Sequence, residues 1–123
     1  MSEMRLAFSI IGADLNAPLD SRFGRAAKFL VYDTETASFA VVDNQQNLTA
    51  AQGAGIQSAQ NVAASGAQAL VTGHCGPKAF RVLKAAGIDV YTSDAPTVAA
   101  ALALYLEGKL KKSLDADVEG HWA

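Results

Sequence analysis

Apolar positions along this chain follow two rhythms, short continuous runs in the first third and a helical period in the rest. Leu6-Ala7-Phe8-Ser9-Ile10-Ile11 is a brief apolar run closed by Gly12 and Asp14, which predicts a buried strand. From Gly12 to Arg25 the chain is punctuated by Asn16, Pro18, Asp20, Ser21 and Gly24 and reads as a loop. Phe29-Leu30-Val31-Tyr32-Asp33 and Phe39-Ala40-Val41-Val42-Asp43 predict a second and third strand, and Thr34 to Ala37 is short enough to join them as a hairpin. Asn44 to Gly55 is polar and has no period, the pattern of a loop free to move.

The helical period then takes over. Ile56, Ala59, Val62 and Ala63 fall on one helical face, and Gly66 is placed to end that helix. Ala69 to Thr72 predicts a fourth strand, and Gly73-His74-Cys75-Gly76 its exit turn. Pro77 suits the first turn of a second helix, whose buried positions are Ala79, Phe80, Val82, Leu83 and Ala86. Ile88 to Tyr91 predicts a fifth strand. Ser93 or Asp94 is the expected cap of a third helix, with Val98, Ala101, Leu102, Tyr105 and Leu106 on its inner stripe and Gly108 at its end. From Lys109 to Ala123 the charges crowd together, so a single domain over 1–108 with a solvated C-terminal tail over 109–123 is expected.

This order predicts an α/β fold. Three strands on short links form an antiparallel meander, and the later strands, alternating with helices, run parallel. If the fourth strand pairs with the first, a five-stranded mixed sheet in the order 3-2-1-4-5 with three helices follows. A topological switch then lies between strands one and four, where open α/β sheets leave a crevice beyond the strand C-termini. The loops after strands one and four and the N-termini of the first two helices meet there. Helix N-termini present free N–H groups and partial positive charge, which together make an anion site.

Composition narrows the function. The chain has 123 residues, half of them apolar, enough for one core. A net charge of −2 lacks the basic footprint of a nucleic-acid binder. No apolar run approaches a membrane span and no secretory segment stands near Met1, so a cytoplasmic protein without nucleic-acid or membrane partners is expected. One cysteine excludes an internal disulfide.

That cysteine sits in the most informative segment, Gly73-His74-Cys75-Gly76-Pro77-Lys78. A thiolate at a helix N-terminus has a lowered pKa. With His74 beside it as a borderline ligand and flanking glycines that admit a bulky group, the turn suits Cu(I), another soft metal or a sulfide cluster. The plain alternative is that Cys75 packs as a small hydrophobe and His74 is a loop residue. Two ligands do not close a zinc site, and His121 is the one other histidine.

The loop Arg22-Phe23-Gly24-Arg25 brackets an aromatic and a glycine with two guanidinium groups, able to hold an anion against an apolar wall. Its plain alternative pairs Arg22 with Asp20 and sends Phe23 to the core. Gly53-Ala54-Gly55 lacks the third glycine of a dinucleotide fingerprint, but its backbone can cradle an anion. Catalysis finds little support. Adjacent His74 and Cys75 make a poor nucleophile pair, and Asp14, Asp20, Asp33 and Asp43 show no pairing suited to a two-metal site, so no enzyme is expected.

Pro18 to Ala26, Gly53 to Gln57, Gly73 to Phe80 and Leu83 to Ile88 together resemble the dinitrogenase iron–molybdenum cofactor biosynthesis domain family, in matching order from Arg5 to about Gly108. The family holds nitrogenase cofactor carriers and insertases. The resemblance implies a ribonuclease-H-like α/β motif without nuclease activity. Within it, a Gly-x-Cys-Gly-Pro turn in a small chain is most similar to the orange proteins of sulfate-reducing bacteria, which hold a molybdenum–copper sulfide cluster without a covalent link. That similarity implies cluster binding by the turn from Gly73 to Gly76 and by the loop of Arg22, Phe23, Gly24 and Arg25. The chemistry of the residues themselves adds Pro77, Lys78, Gly53 and Gly55 to the expected cluster site, with His74 and Cys75 as the expected metal contacts. His74 departs from the Asn expected in this group. The competing readings are a copper protein or chaperone using His74 and Cys75, and a protein-interaction module without metal.

Overall fold

The computed structural model describes residues 4–44 and 54–113. β1 (Arg5–Ile10), β2 (Lys28–Asp33) and β3 (Ser38–Asp43) form the meander. They are followed by α1 (Ala54–Ala64), β4 (Ala69–Thr72), α2 (Pro77–Ala85), β5 (Asp89–Thr92), α3 (Val98–Leu106) and a two-residue β6 (Lys111–Lys112). The sheet order is β3-β2-β1-β4-β5-β6, with β4 parallel to β1 and β5 parallel to β4. The expected 3-2-1-4-5 order is therefore present, extended by one edge strand.

β6 corrects the expectation of a tail starting at Lys109. Lys111 and Lys112 pair antiparallel with Thr92 and Tyr91, and the Ser113 amide donates to Val90 O over 2.7 Å. Two lysines carry no apolar strand pattern, and it is the backbone of the open β5 edge that pairs with them. Leu114 to Ala123, including His121, lie outside the described residues.

Period-two alternation sends side chains to opposite faces of the sheet. Leu6, Phe8 and Ile10 join Leu30, Val71, Val98 and Leu102 under α3. Ala7, Phe29, Val31, Leu70 and Val90 pack with Val62, Phe80 and Leu83 under α1 and α2. Each large side chain so buried contributes about 1.5–3 kcal/mol.

The third helix differs at both ends from its expected form. Thr97 caps it, its side-chain oxygen accepting from the Ala100 amide over 3.2 Å, while Ser93 instead accepts from Ala95 N at 3.1 Å. Leu106, expected on the inner stripe, is exposed, while Tyr105 beside it packs against the core. The loop after β1 is not featureless: it holds a 3-10 turn at Phe23–Arg25. Ser9 fastens the base of that loop, donating to Asp20 O over 2.8 Å while its Oγ lies 2.8 Å from Thr72 Oγ1 on β4. Among the described residues, no helix is long and apolar enough to cross a membrane.

Candidate functional site

The loop after β1, the turn after β4 and the first turns of α1 and α2 converge on one cleft of about 400 Å³. Its position is the switch point expected from the topology, since β1 and β4 are neighbours whose outgoing chains diverge. Phe23, Ile56, Pro77 and Ala79 form its apolar walls, and Arg22, His74 and Lys78 bring its polar heads.

Three contacts set its shape. The Phe23 amide donates to His74 O over 3.2 Å, which ties the 3-10 turn to the β4 exit. Gly73 makes that approach possible: a Cβ there would stand 2.8 Å from Ser21 Cα. Gly55 does the same between helices, since its Cβ would meet Ala79 Cβ at 3.3 Å. The N-termini of α1 and α2 therefore lie side by side at the cleft.

The electrostatics favour an anion. Gly76 is the N-cap of α2, with Pro77 at the start and no side chain capping it. The first amides of a helix have no acceptor within it and carry its partial positive charge. Neither α1 nor α2 has an acidic residue in its first turn, and among the described residues no carboxylate lines the cleft. A chain of net charge −2 thus has a locally cationic hollow.

Arg22 and Phe23 take the plain places expected of them and still border the cleft. Asp20, nearly buried, accepts from the Arg22 amide at 3.0 Å and lies 3.8 Å from Arg22 Nε, yet the Arg22 side chain remains 68% exposed at the rim. Phe23 is buried against Phe29, ring centroids 5.3 Å apart, and still walls the cleft. Gly24 lines the cleft as well, and its carbonyl accepts a long bond from Ser58 Oγ at 3.5 Å.

Not every expected residue faces the hollow. His74 does, on an exposed position. Cys75 does not: it is 1% exposed and packs in the core with Phe23, Phe29 and Ala79, its Sγ 3.7 Å from Gly76 O. The turn sends residue 74 outward and residue 75 inward, which corrects the picture of a thiol standing in the crevice. Gly73 shapes the turn from behind and does not line the cleft. Arg25 belongs to the 3-10 turn. Gly53 lies outside the described residues.

Ile56 and Ala79 were legible only as helix-core positions, yet both wall the cleft. Their place in the first turn of each helix was the available signal. Among the described residues, no three His, Cys, Asp or Glu side chains gather as a metal site. The aspartates are scattered: Asp14 and Asp33 accept from neighbouring backbone amides in their own turns, and Asp20 is engaged by Arg22.

Comparison with known proteins agrees with this fold. The profile of the family described as dinitrogenase iron-molybdenum cofactor matches residues 4–108. The structure is similar to the apo form of the orange protein from Desulfovibrio gigas, with 42% identity, a TM-score of 0.91, and coverage of 96% of this chain and 100% of that one. It is also similar to TM1290 of Thermotoga, provisionally named a NifB protein, at 33% identity and a TM-score of 0.79 over 94% of this chain and 99% of that one. In sequence it is 34% identical over 100 residues to the uncharacterized protein MJ0580 of Methanocaldococcus jannaschii, covering 79% of this chain and 84% of the relative.

Proposed function

Because this chain belongs to the dinitrogenase iron-molybdenum cofactor family, we propose that it binds and carries an anionic metal–sulfide cluster in the cleft between the 3-10 turn and the N-termini of α1 and α2. The cluster is a molybdenum–copper sulfide, held without a covalent bond to the chain, and the protein acts as a carrier and not as a catalyst. The observation that carries this reading is the pairing of two helix N-termini, free of acidic residues, around a hollow with Arg22 and Lys78 at its rim.

The donor set fits such a group. Sulfide ligands accept hydrogen bonds from amides and cations and tolerate apolar walls, and the cleft offers all three. A hollow of about 400 Å³ is within the range of small-ligand sites. Backbone amides of α1 and α2 would face the cluster, Arg22 and Lys78 would balance its charge, and His74 would stand nearest to a copper ion. The similarity to the orange protein from Desulfovibrio gigas supports the same assignment. No observation favours copper held alone by His74 and Cys75, since the thiol is turned into the core.

Adding copper and tetrathiomolybdate to the purified protein tests the proposal. A stable visible absorption band, with molybdenum and copper retained through gel filtration, is expected. Removing both Arg22 and Lys78 by substitution with Ala should weaken retention by about tenfold or more, since a charge-assisted hydrogen bond contributes ~1.5 kcal/mol. A colourless protein that retains neither metal would overturn it.

A further inference from the structure

β3 ends the sheet, and its outer edge carries no strand among the described residues. Such an edge presents a row of backbone N–H and C=O groups ready to pair, and proteins commonly guard it with lysine, proline or a bulge. β3 has none of these. Its six residues, Ser38 to Asp43, run in unbroken register with β2 and contain no lysine or proline.

Its side chains are also unusual for a free edge. Phe39 is 41% and Val41 36% exposed. They stand opposite Tyr32 and Leu30 of β2, so they lie on the face that α3 covers farther along the sheet, yet they are not part of the core beneath it. An apolar pair on an unguarded edge calls for a partner strand.

We infer that β3 pairs antiparallel with β3 of a second copy of this chain, about a two-fold axis through Ala40. Strand geometry selects this register. Residues directly opposite in an antiparallel pair point to the same face. Centring on Ala40 therefore sets Phe39 against Val41 of the second copy, and Val41 against Phe39, closing the exposed apolar pair twice over. Centring on Val41 would instead place Phe39 against Asp43.

The charges agree with the Ala40 register. Asp43 is the strand's one charged residue, and in this register it lies just past Ser38 of the second copy, where that strand begins after the Ala37 turn, so no charged residue of one β3 stands opposite a charge of the other. β3 runs parallel to β1, because both are antiparallel to β2. The two clefts then open at opposite ends of the joined sheet, and pairing leaves both accessible. This dimer is independent of what the cleft binds. A single strand pair and two Phe39–Val41 contacts bury less than the ~1,200–2,000 Å² of a stable complex, so association is weak and concentration-dependent.

Sedimentation of the full chain from micromolar to near-millimolar concentration reads this directly. The mass should rise from 12.8 kDa toward twice that value. Ala40→Lys sets two ammonium groups opposite each other and should hold the chain monomeric, with an unchanged circular dichroism spectrum because Ala40 is exposed. Ala40→Cys should form a disulfide-linked dimer under diamide, while Val41→Cys and the parent protein, whose Cys75 is buried, should not. A monomer at every concentration, a dimer that survives Ala40→Lys, or faster linkage through Val41→Cys would overturn the inference.

Discussion

Asn44 Nδ2 donates to Ser58 Oγ over 2.9 Å, joining the end of β3 to the middle of α1. The same amide nitrogen donates to Ala26 O at 2.8 Å, and Asn44 Oδ1 accepts from Asn61 Nδ2 at 2.6 Å. Ser58 Oγ in turn donates to Gly24 O at 3.5 Å. A fully buried amide thus braces α1 against the 3-10 turn, the two elements that face each other across the cleft. Satisfied buried polar groups hold a geometry well because breaking one leaves several others unpaired.

Asn44→Ala should cost about 2 kcal/mol, the penalty for leaving buried partners without a hydrogen bond. Urea denaturation measures this. Retention of the copper–thiomolybdate probe should fall as well, although Asn44 does not line the cleft. Full stability in the variant would show that the brace carries no energy.

Cys75→Ala separates a ligand from a packed side chain. The thiol is buried in the core and directed away from the hollow, so the variant should lose ~1 kcal/mol of stability and retain the probe as the parent does. Labelling of the native thiol by a water-soluble reagent should be slow until the protein unfolds. Loss of retained metal with unchanged stability would instead make the thiol a ligand.

Gly73→Ala forces a methyl group to within 2.8 Å of the Ser21 backbone. Overpacking of this kind costs about 1–3 kcal/mol. The strain falls on the contact that holds Phe23 to His74, so the variant should also bind the probe more weakly. Thermal denaturation and metal analysis of one sample read both effects.

Tyr105 stacks edge-on against Tyr91, with ring centroids 5.1 Å apart and an interplanar angle of 88°. Burial, reinforced by the Tyr91 hydroxyl, raises its pKa above the ordinary value of 10.0. The neutral phenol is therefore favoured in the folded state. Its contribution to stability is complete below pH 10 and is lost as pH rises through the folded pKa, because the unfolded chain ionises first. Tyr105→Phe should flatten the alkaline limb of the stability profile, measured by denaturation at a series of pH values above 9.5 or so.

Much of the fold was readable because local rules and tertiary packing agree. The runs at Leu6, Phe29, Phe39 and Ala69 became strands within a residue of their expected limits: β1, β2 and β4 because burial demands continuous apolar stretches, and the exposed edge strand β3 because a short link returns the chain beside β2. Pro77 opened its helix and Gly66 and Gly87 took positive φ where helices end. The start of the third helix is not legible in the sequence because Ser93, Asp94 and Thr97 are all competent caps, and the folded chain uses Thr97 for the helix and Ser93 for the turn before it. The short strand at Lys111 was invisible, since two adjacent lysines carry no apolar pattern and their backbone pairing depends on a neighbour that the sequence does not display.

For the site, the chain's own order of residues determined that the segments at Arg22, Gly55 and Gly76 would meet. Element order dictates strand order, and strand order dictates where the crevice opens. The direction of each side chain within those segments was decided only by tertiary structure. His74 and Cys75 are neighbours in the chain and equally plausible as ligands on paper. The Gly73–Gly76 turn, pressed against Ser21 and bonded to Phe23, points one into the hollow and drives the other into the core. Periodicity cannot predict that choice, because it depends on backbone angles that are fixed by a loop more than fifty residues away.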